Sequence, residues 1–103
     1  MPVDRAGDSR AWDAVLRGAG VRIAVEAETR PRDVQELDRR IQLKLRDSLI
    51  DRVILLVAAT RSNRAVLREM RAALAATYPI PGPRALAALE AGRDPGGNAI
   101  IAL

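Results

Sequence analysis

Polar and apolar side chains alternate along two neighbouring segments near the start of the chain, residues 10–16 and 21–28. A period of two is typical of half-buried strands, and the glycine-containing segment 17–20 between them predicts a turn. The two segments therefore predict a β-hairpin. Its apolar face, which can pack on a core, would carry Trp12, Ala14, Leu16, Ile23, Val25 and Ala27.

The next segment has an apolar stripe with helical spacing, which predicts an amphipathic helix. The stripe consists of Val34, Leu37, Ile41 and Leu45. Pro31 suits the first helical position, with Thr29 or Arg30 near the cap, and the helix should continue to about Asp47. We expect this helix to be the crossover that follows the hairpin.

The second half of the chain predicts a buried strand over 52–59, because this segment is apolar on both faces. Ser62 or Asn63 would cap a second helix, and 84–91 and 98–103 predict a third helix and a last strand. The predicted order is β-β-α-β-α-α-β, an α/β fold with a small mixed sheet flanked by helices. The 103 residues predict one domain, in which the first nine form an irregular or abbreviated edge.

Three carboxylates, those of Asp13, Glu26 and Glu28, share the other face of the hairpin. With Leu16 opposite Val21 across a four-residue turn, Asp13 becomes a diagonal neighbour of Glu26, and any even loop length keeps the same facing. At a spacing of about 7 Å and an effective dielectric of about 20, each pair of charges repels by about 2 kcal/mol. Some positive charge must offset this repulsion.

A hard divalent cation would supply that charge, because Mg²⁺ binds a few carboxylate oxygens and keeps waters, one of which can become a nucleophile. The alternative is that the acids lie on the solvated side of the hairpin, where Arg22 and nearby arginines neutralise them. The spacing alone leaves both interpretations open.

The order of these elements resembles the restriction-endonuclease-like nuclease superfamily. Its members carry Asp on one strand and Glu-x-Lys on the next, followed by a helix and a further core strand. This chain has Asp13, then Glu26-Ala27-Glu28, then the predicted helix and strand. Glu28 stands where lysine is usual, as a second glutamate does in some members. Members normally have a further helix and strand before the hairpin.

The resemblance implies that Asp13 and Glu26 bind Mg²⁺ or Mn²⁺, and that Glu28 orients or activates the attacking water. It also implies a supporting polar residue on the following helix, either Gln42 or Lys44. The plainer interpretation is that Gln42 borders the core stripe and that Lys44 is a solvated charge.

Residues 7–103 also resemble a C-terminal region of bacterial helix-turn-helix regulators of the xenobiotic-response type, chiefly at 10–13 and 94–97. This resemblance implies association with a helix-turn-helix partner or upstream segment, with a homodimer as a further alternative. The chain itself shows no helix-turn-helix pattern.

Composition removes several classes of function. The absence of cysteine and histidine excludes disulfides, zinc fingers, thiol nucleophiles and serine–histidine–aspartate triads. Trp12 and Tyr78 are the only aromatic residues, which argues against base-stacking surfaces. The N-terminus has no apolar secretory segment, and no apolar run is long enough to span a bilayer, so we expect a cytoplasmic protein.

The net charge of +4, carried almost entirely by arginines, permits contact with DNA phosphates. The loop 60–64 follows the central strand at the edge where ligands collect in open α/β sheets, although ordinary helix capping would also explain it. The residues predicted to contact DNA are Arg30, Arg32, Arg40, Arg61, Asn63 and Arg64.

Two functions follow from these observations. The first is a metal-dependent DNA endonuclease-like domain that hydrolyses phosphodiesters. The second is a catalytically inactive nuclease-fold module that serves regulation or dimerisation beside a helix-turn-helix regulator. A third reading, a purely structural protein–protein module, predicts neither metal nor DNA binding.

Overall fold

The computed structural model describes residues 3–4, 12–18, 20–28, 33–46 and 48–103. The strands are β1 (Val3–Asp4), β2 (Ala14–Gly18), β3 (Val21–Glu28), β4 (Arg52–Val57) and β5 (Ala99–Ala102). The helices are α1 (Val34–Arg46), α2 (Arg61–Glu69), α3 (Arg71–Ala75) and α4 (Gly82–Glu90).

The strands form one five-stranded sheet in the order β1-β2-β3-β4-β5. Strand β2 is antiparallel to both β1 and β3, whereas β3, β4 and β5 run parallel to one another. The predicted α/β class with a mixed sheet flanked by helices is confirmed. Parallel pairing places the carboxyl ends of β3, β4 and β5 at one edge of the sheet.

Both faces of the sheet are covered by helices. On one face, buried Leu37 and Ile41 of α1 and Leu74 of α3 pack on Ala24 and Val53. On the other face, the buried side chains Ile23, Ile54, Ala85, Ala99 and Ile101 pack together, and Ala85 belongs to α4. No helix in the described part of the chain has the length and apolar character that crossing a membrane requires.

The predicted hairpin is present, but its predicted register is wrong. Gly18 lies opposite Val21 and Leu16 opposite Ile23, so the loop has two residues in place of four. Gly20 has a φ of 78°, a left-handed conformation that glycine adopts without strain and that tight hairpin turns require. Because both loop lengths are even, Glu26 and Glu28 still share a face with Ala24.

Trp12 does not lie on the predicted face. It precedes β2 in a bend and packs with Val15 and Ala24, on the face covered by α1. That face was predicted to be the polar face of the hairpin, either a metal site or a solvated side, yet Glu26 is only 8% exposed there. The alternation of polarity therefore identified the strands but did not show that a helix covers their acidic side.

Three helices begin at residues other than those predicted, and one of them is α4, which begins at Gly82 although the pattern predicts 84–91. Helix α1 begins at Val34, and Asp33 is its cap, since the Glu36 N–H donates to Asp33 Oδ1 at 3.0 Å. Residues 29–32 lie outside the described part of the chain. Helix α2 is capped by Thr60 instead of Ser62 or Asn63, because Thr60 Oγ1 accepts the Asn63 N–H at 3.0 Å.

The N-terminal edge differs from the expected irregular segment at one point. Val3 and Asp4 form β1, which pairs antiparallel with Leu16 and Val15. The second predicted helix is also divided at Met70 into α2 and α3. The observed element order is therefore β-β-β-α-β-α-α-α-β.

Several contacts join the segment between α3 and the start of α4 to the sheet. The Val53 N–H donates to Asn98 Oδ1 at 2.8 Å, and Asn98 Nδ2 donates to the Thr77 carbonyl at 3.2 Å. Gly82 packs so closely on β5 that an added Cβ would lie 2.6 Å from the Ile100 carbonyl oxygen. These contacts hold the segment between α3 and α4 close to β4 and β5.

Candidate functional site

Glu26 is the buried member of the acidic cluster. Its side chain projects from β3 beneath α1, where Lys44 Nζ lies 3.2 Å from Glu26 Oε2. The two side chains are 11% and 27% exposed, so water screens this pair less than a surface pair. The same ammonium lies 5.3 Å from the centre of the Trp12 ring, within cation–π range. The ammonium therefore neutralises the carboxylate.

Asp13 lies at the open end of the hairpin, just before β2, and is exposed. Its Oδ2 accepts the Ala27 N–H at 2.7 Å, a distance typical of a charge-assisted hydrogen bond. Extending the observed register by one residue places Asp13 beside Glu26. The side chain thus caps the end of β3 through the backbone.

Glu28, at the carboxyl end of β3, is half-buried. Its Oε2 lies 3.8 Å from Arg40 Nη2 on α1, and the arginine side chain is 54% exposed. Such an exposed pair contributes little to stability, typically below about 1 kcal/mol. Arg40 nevertheless places a second positive charge from α1 beside the acids of β3.

The two candidates on α1 have different surroundings. Lys44 reaches the acidic cluster, where it pairs with Glu26. Gln42 is exposed, and its Nε2 lies 3.4 Å from Asp38 Oδ1 on its own helix. Of these two residues, only Lys44 contacts one of the three acids.

Asp38 links α1 to the segment after α3. The Tyr78 hydroxyl donates to Asp38 Oδ1 at 3.0 Å. Burial, followed by the nearby Asp38 carboxylate, raises the pKa of Tyr78 well above its ordinary value. The hydroxyl is therefore protonated at neutral pH and remains a hydrogen-bond donor.

The chain matches no protein-family model, no curated protein and no solved structure. The resemblance to the nuclease superfamily and to helix-turn-helix regulators therefore stays a prediction.

The three acids do not form one multidentate group. Among the residues that the structure describes, no three acidic side chains lie close enough together to hold a metal ion. Asp13 and Glu26 remain as a two-carboxylate pair, which is a ligand number that Mg²⁺ accepts when water completes its shell.

The residues predicted to contact DNA have varied positions. Arg61 and Arg64 are exposed on α2, at the sheet edge where β4 ends. Asn63 is buried, and its Nδ2 donates to the Ala58 carbonyl at 2.9 Å, so this side chain holds the loop after β4. Arg40 lies on α1 beside Glu28, whereas Arg30 and Arg32 lie outside the described residues.

Sequence reasoning missed the role of Trp12 and Arg40 in this cluster. Arg40 falls four residues before Lys44, which places both on one side of α1. A helix that crosses over the acidic face and carries two cations at this spacing is a usable signal.

Proposed function

We propose that this chain is a non-cleaving, restriction-endonuclease-like module that binds a ligand and serves regulation beside a DNA-binding partner or segment. The observation that carries the proposal is the ion pair between Glu26 and Lys44. A buried carboxylate needs a compensating charge, and here the protein's own ammonium provides it.

The other two acids support this proposal. Asp13 is used to cap β3 through the Ala27 N–H, and Glu28 lies beside Arg40. A divalent ion bound by Asp13 and Glu26 would have to compete with Lys44 for the same carboxylate. The acids would then serve chiefly to fix α1 on the hairpin.

The experiment is a cleavage assay on supercoiled, linear and single-stranded DNA with Mg²⁺ or Mn²⁺. The proposal expects intact DNA at high protein concentration. It also expects Glu26→Gln to lower thermal stability, since the variant leaves Lys44 without its charged partner. Metal-dependent cleavage that Asp13→Ala abolishes would overturn the proposal.

A metal-dependent nuclease is the second candidate, and one observation favours it. Lys44 brings an ammonium to Glu26 from α1, and this ammonium could replace the lysine that the Glu26-Ala27-Glu28 segment lacks. In that case Asp13 and Glu26 would bind Mg²⁺, which would supply the charge and the water for phosphodiester hydrolysis. Lys44 would then hold the attacking water or the transition-state charge in position.

This second candidate has its own test with a matched control on the same helix. Cleavage in Mn²⁺ should be lost in Lys44→Ala and in Asp13→Ala, and it should persist in Gln42→Ala, which changes an exposed residue of α1 that contacts none of the three acids. If DNA is bound, Arg61 and Arg64 are the exposed arginines best placed to contact its phosphates. Equal activity of the Lys44 and Gln42 variants would remove Lys44 from the mechanism.

A further inference from the structure

A groove of about 580 Å³ lies between the α2–α3 layer and β5. Its apolar wall includes Leu67 and Ile100, and α4 begins beside it at Gly82. No acid of the Asp13, Glu26 and Glu28 cluster lines it. The volume is within the range of about 300–1,000 Å³ that small-molecule sites occupy.

Three arginines line the same groove. Arg64, Arg68 and Arg71 are exposed, and none of their guanidinium groups has a hydrogen bond or ion pair with another residue in the described part of the chain. By comparison, Arg40 and Arg52 lie within 4 Å of a carboxylate. The groove therefore combines an apolar wall with positive charge that no described residue compensates through an ion pair.

The arginines share one side of a nearly continuous helix. Backbone hydrogen bonds run from the Met70 N–H to Val66 and from the Leu74 N–H to Met70, so α3 continues the direction of α2. The spacing 64, 68 and 71 returns to the same side of a helix, and at 1.5 Å per residue the three positions extend over about 10 Å. Several guanidinium groups can thus reach one anion at the groove.

We infer that this groove binds a small amphiphile with one anionic head group and an apolar body, of the class of fatty-acyl carboxylates and phosphates. The inference rests on the proposed function as a ligand-binding module and names its ligand class. Arginine forks bind carboxylate or phosphate oxygens in a bidentate geometry, and the apolar wall would bury a hydrocarbon chain. A DNA backbone would use the arginines but would leave the apolar wall in water, so the amphiphile fits both features.

The test is isothermal titration of the full chain with dodecanoate, dodecyl phosphate, dodecanol, acetate and dodecylamine. The two anionic amphiphiles should bind in the micromolar range, the neutral and head-only compounds at least about tenfold more weakly, and the amine not at all. The stronger of the two anions identifies the head group. Equal binding of dodecanoate and dodecylamine, or no binding of either anion, overturns the inference.

Two pairs of variants locate the site. Arg68→Gln should weaken dodecanoate binding by about tenfold or more, whereas Arg84→Gln, an exposed arginine of α4 outside the groove, should leave it unchanged. Ala75→Trp should fill the groove and abolish binding, whereas Ala73→Trp, at an exposed position of the same helix that does not line the groove, should not. The alanine sites are exposed, so these variants remain informative if an arginine variant fails to fold.

DNA binding and cleavage assays distinguish a failure of this inference from a failure of the proposed function. A short DNA duplex that binds with loss of affinity in Arg68→Gln but not in Ala75→Trp would identify a nucleic-acid surface and overturn the amphiphile. DNA cleavage by the unmodified chain would overturn the non-cleaving function while leaving the titration result standing. A chain that neither cleaves DNA nor binds the anions keeps the first proposal and loses the second.

Discussion

Removing the charge of Lys44 is the most direct perturbation of the acidic cluster. In Lys44→Met the stem of the side chain can still pack beside Trp12, but the ammonium 3.2 Å from Glu26 Oε2 is lost. Coulomb's law at an effective dielectric of about 20 gives an attraction of about 5 kcal/mol at this distance, which is an upper limit. The desolvation of both ions offsets much of it.

We therefore expect the pair to be coupled by about 2 kcal/mol and Lys44→Met to lower the free energy of unfolding by a similar amount. For a domain of this size the melting temperature should fall by about 10 °C. The assay is urea unfolding followed by circular dichroism on the unmodified chain, Lys44→Met, Glu26→Gln and the double variant. Arg39→Met, which changes an exposed residue of α1, is the control and should shift stability by less than about 0.5 kcal/mol.

A coupling energy below about 0.5 kcal/mol in this double-mutant cycle would refute the reasoning. It would mean that the ammonium and carboxylate interact mainly with water, so that Glu26 does not depend on the protein for its compensating charge. The proposed non-cleaving role would then lose its main support, and a metal ion would again be the natural partner of Glu26. An unchanged slope of the free energy against urea in all four proteins confirms that the comparison is between similar folded and unfolded states.

Three further substitutions test the packing around the sheet. Asn98→Ala should lower the free energy of unfolding, measured in urea, by about 1–3 kcal/mol, because the Val53 N–H loses its side-chain acceptor. Gly82→Ala should cost about 1–3 kcal/mol in thermal unfolding, since the new Cβ would lie 2.6 Å from the Ile100 carbonyl oxygen; an unchanged melting temperature would contradict this close approach. The pKa of Asp94 is lowered, first by the hydrogen bond from the Gly96 backbone N–H and also by the Arg52 guanidinium. This lowered pKa contributes stability above the ordinary carboxyl pKa of about 3.9 and loses it as the pH falls through the folded value. Asp94→Asn should therefore be less stable than the unmodified chain at pH 7 but nearly equal at pH 2, as measured by urea midpoints.

The sequence was enough to predict that the acids share one face of the hairpin, but it was not enough to predict the hairpin register. A strand has a side-chain period of two, so any even loop places Glu26 and Glu28 on the same face. The chain has Gly18 and Gly20 as possible turn residues, and either glycine can adopt the left-handed backbone conformation that a tight turn requires. Only the pairing of Gly18 with Val21 decides for the two-residue loop.

The ends of α1 and α2 show a similar limit. Several residues before each helix can accept a backbone N–H, and local sequence does not decide among them. In the structure Asp33 and Thr60 make those hydrogen bonds. The choice depends on where the chain leaves β3 and β4, which is a tertiary property.

The partner of Glu26 also depends on tertiary structure. Lys44 is the only lysine in the chain, and its place on an amphipathic helix was evident from the sequence. Whether it pointed to solvent or to the hairpin depended on which face of the sheet α1 covers. The polarity pattern favoured the other face, because a stripe of apolar residues on a hairpin usually marks the packed side.

Tyr78 lies between helix α1 and the arginine groove. Tyr78 lines the groove, while its hydroxyl donates to Asp38 on α1, the helix that carries Lys44. Because burial and Asp38 keep this hydroxyl protonated, the hydrogen bond remains in place through the neutral range. A ligand in the groove would therefore contact a side chain that also fixes α1 over the sheet. Helix α1 and the groove therefore share one residue, Tyr78, through its hydrogen bond to Asp38 and its place in the groove lining.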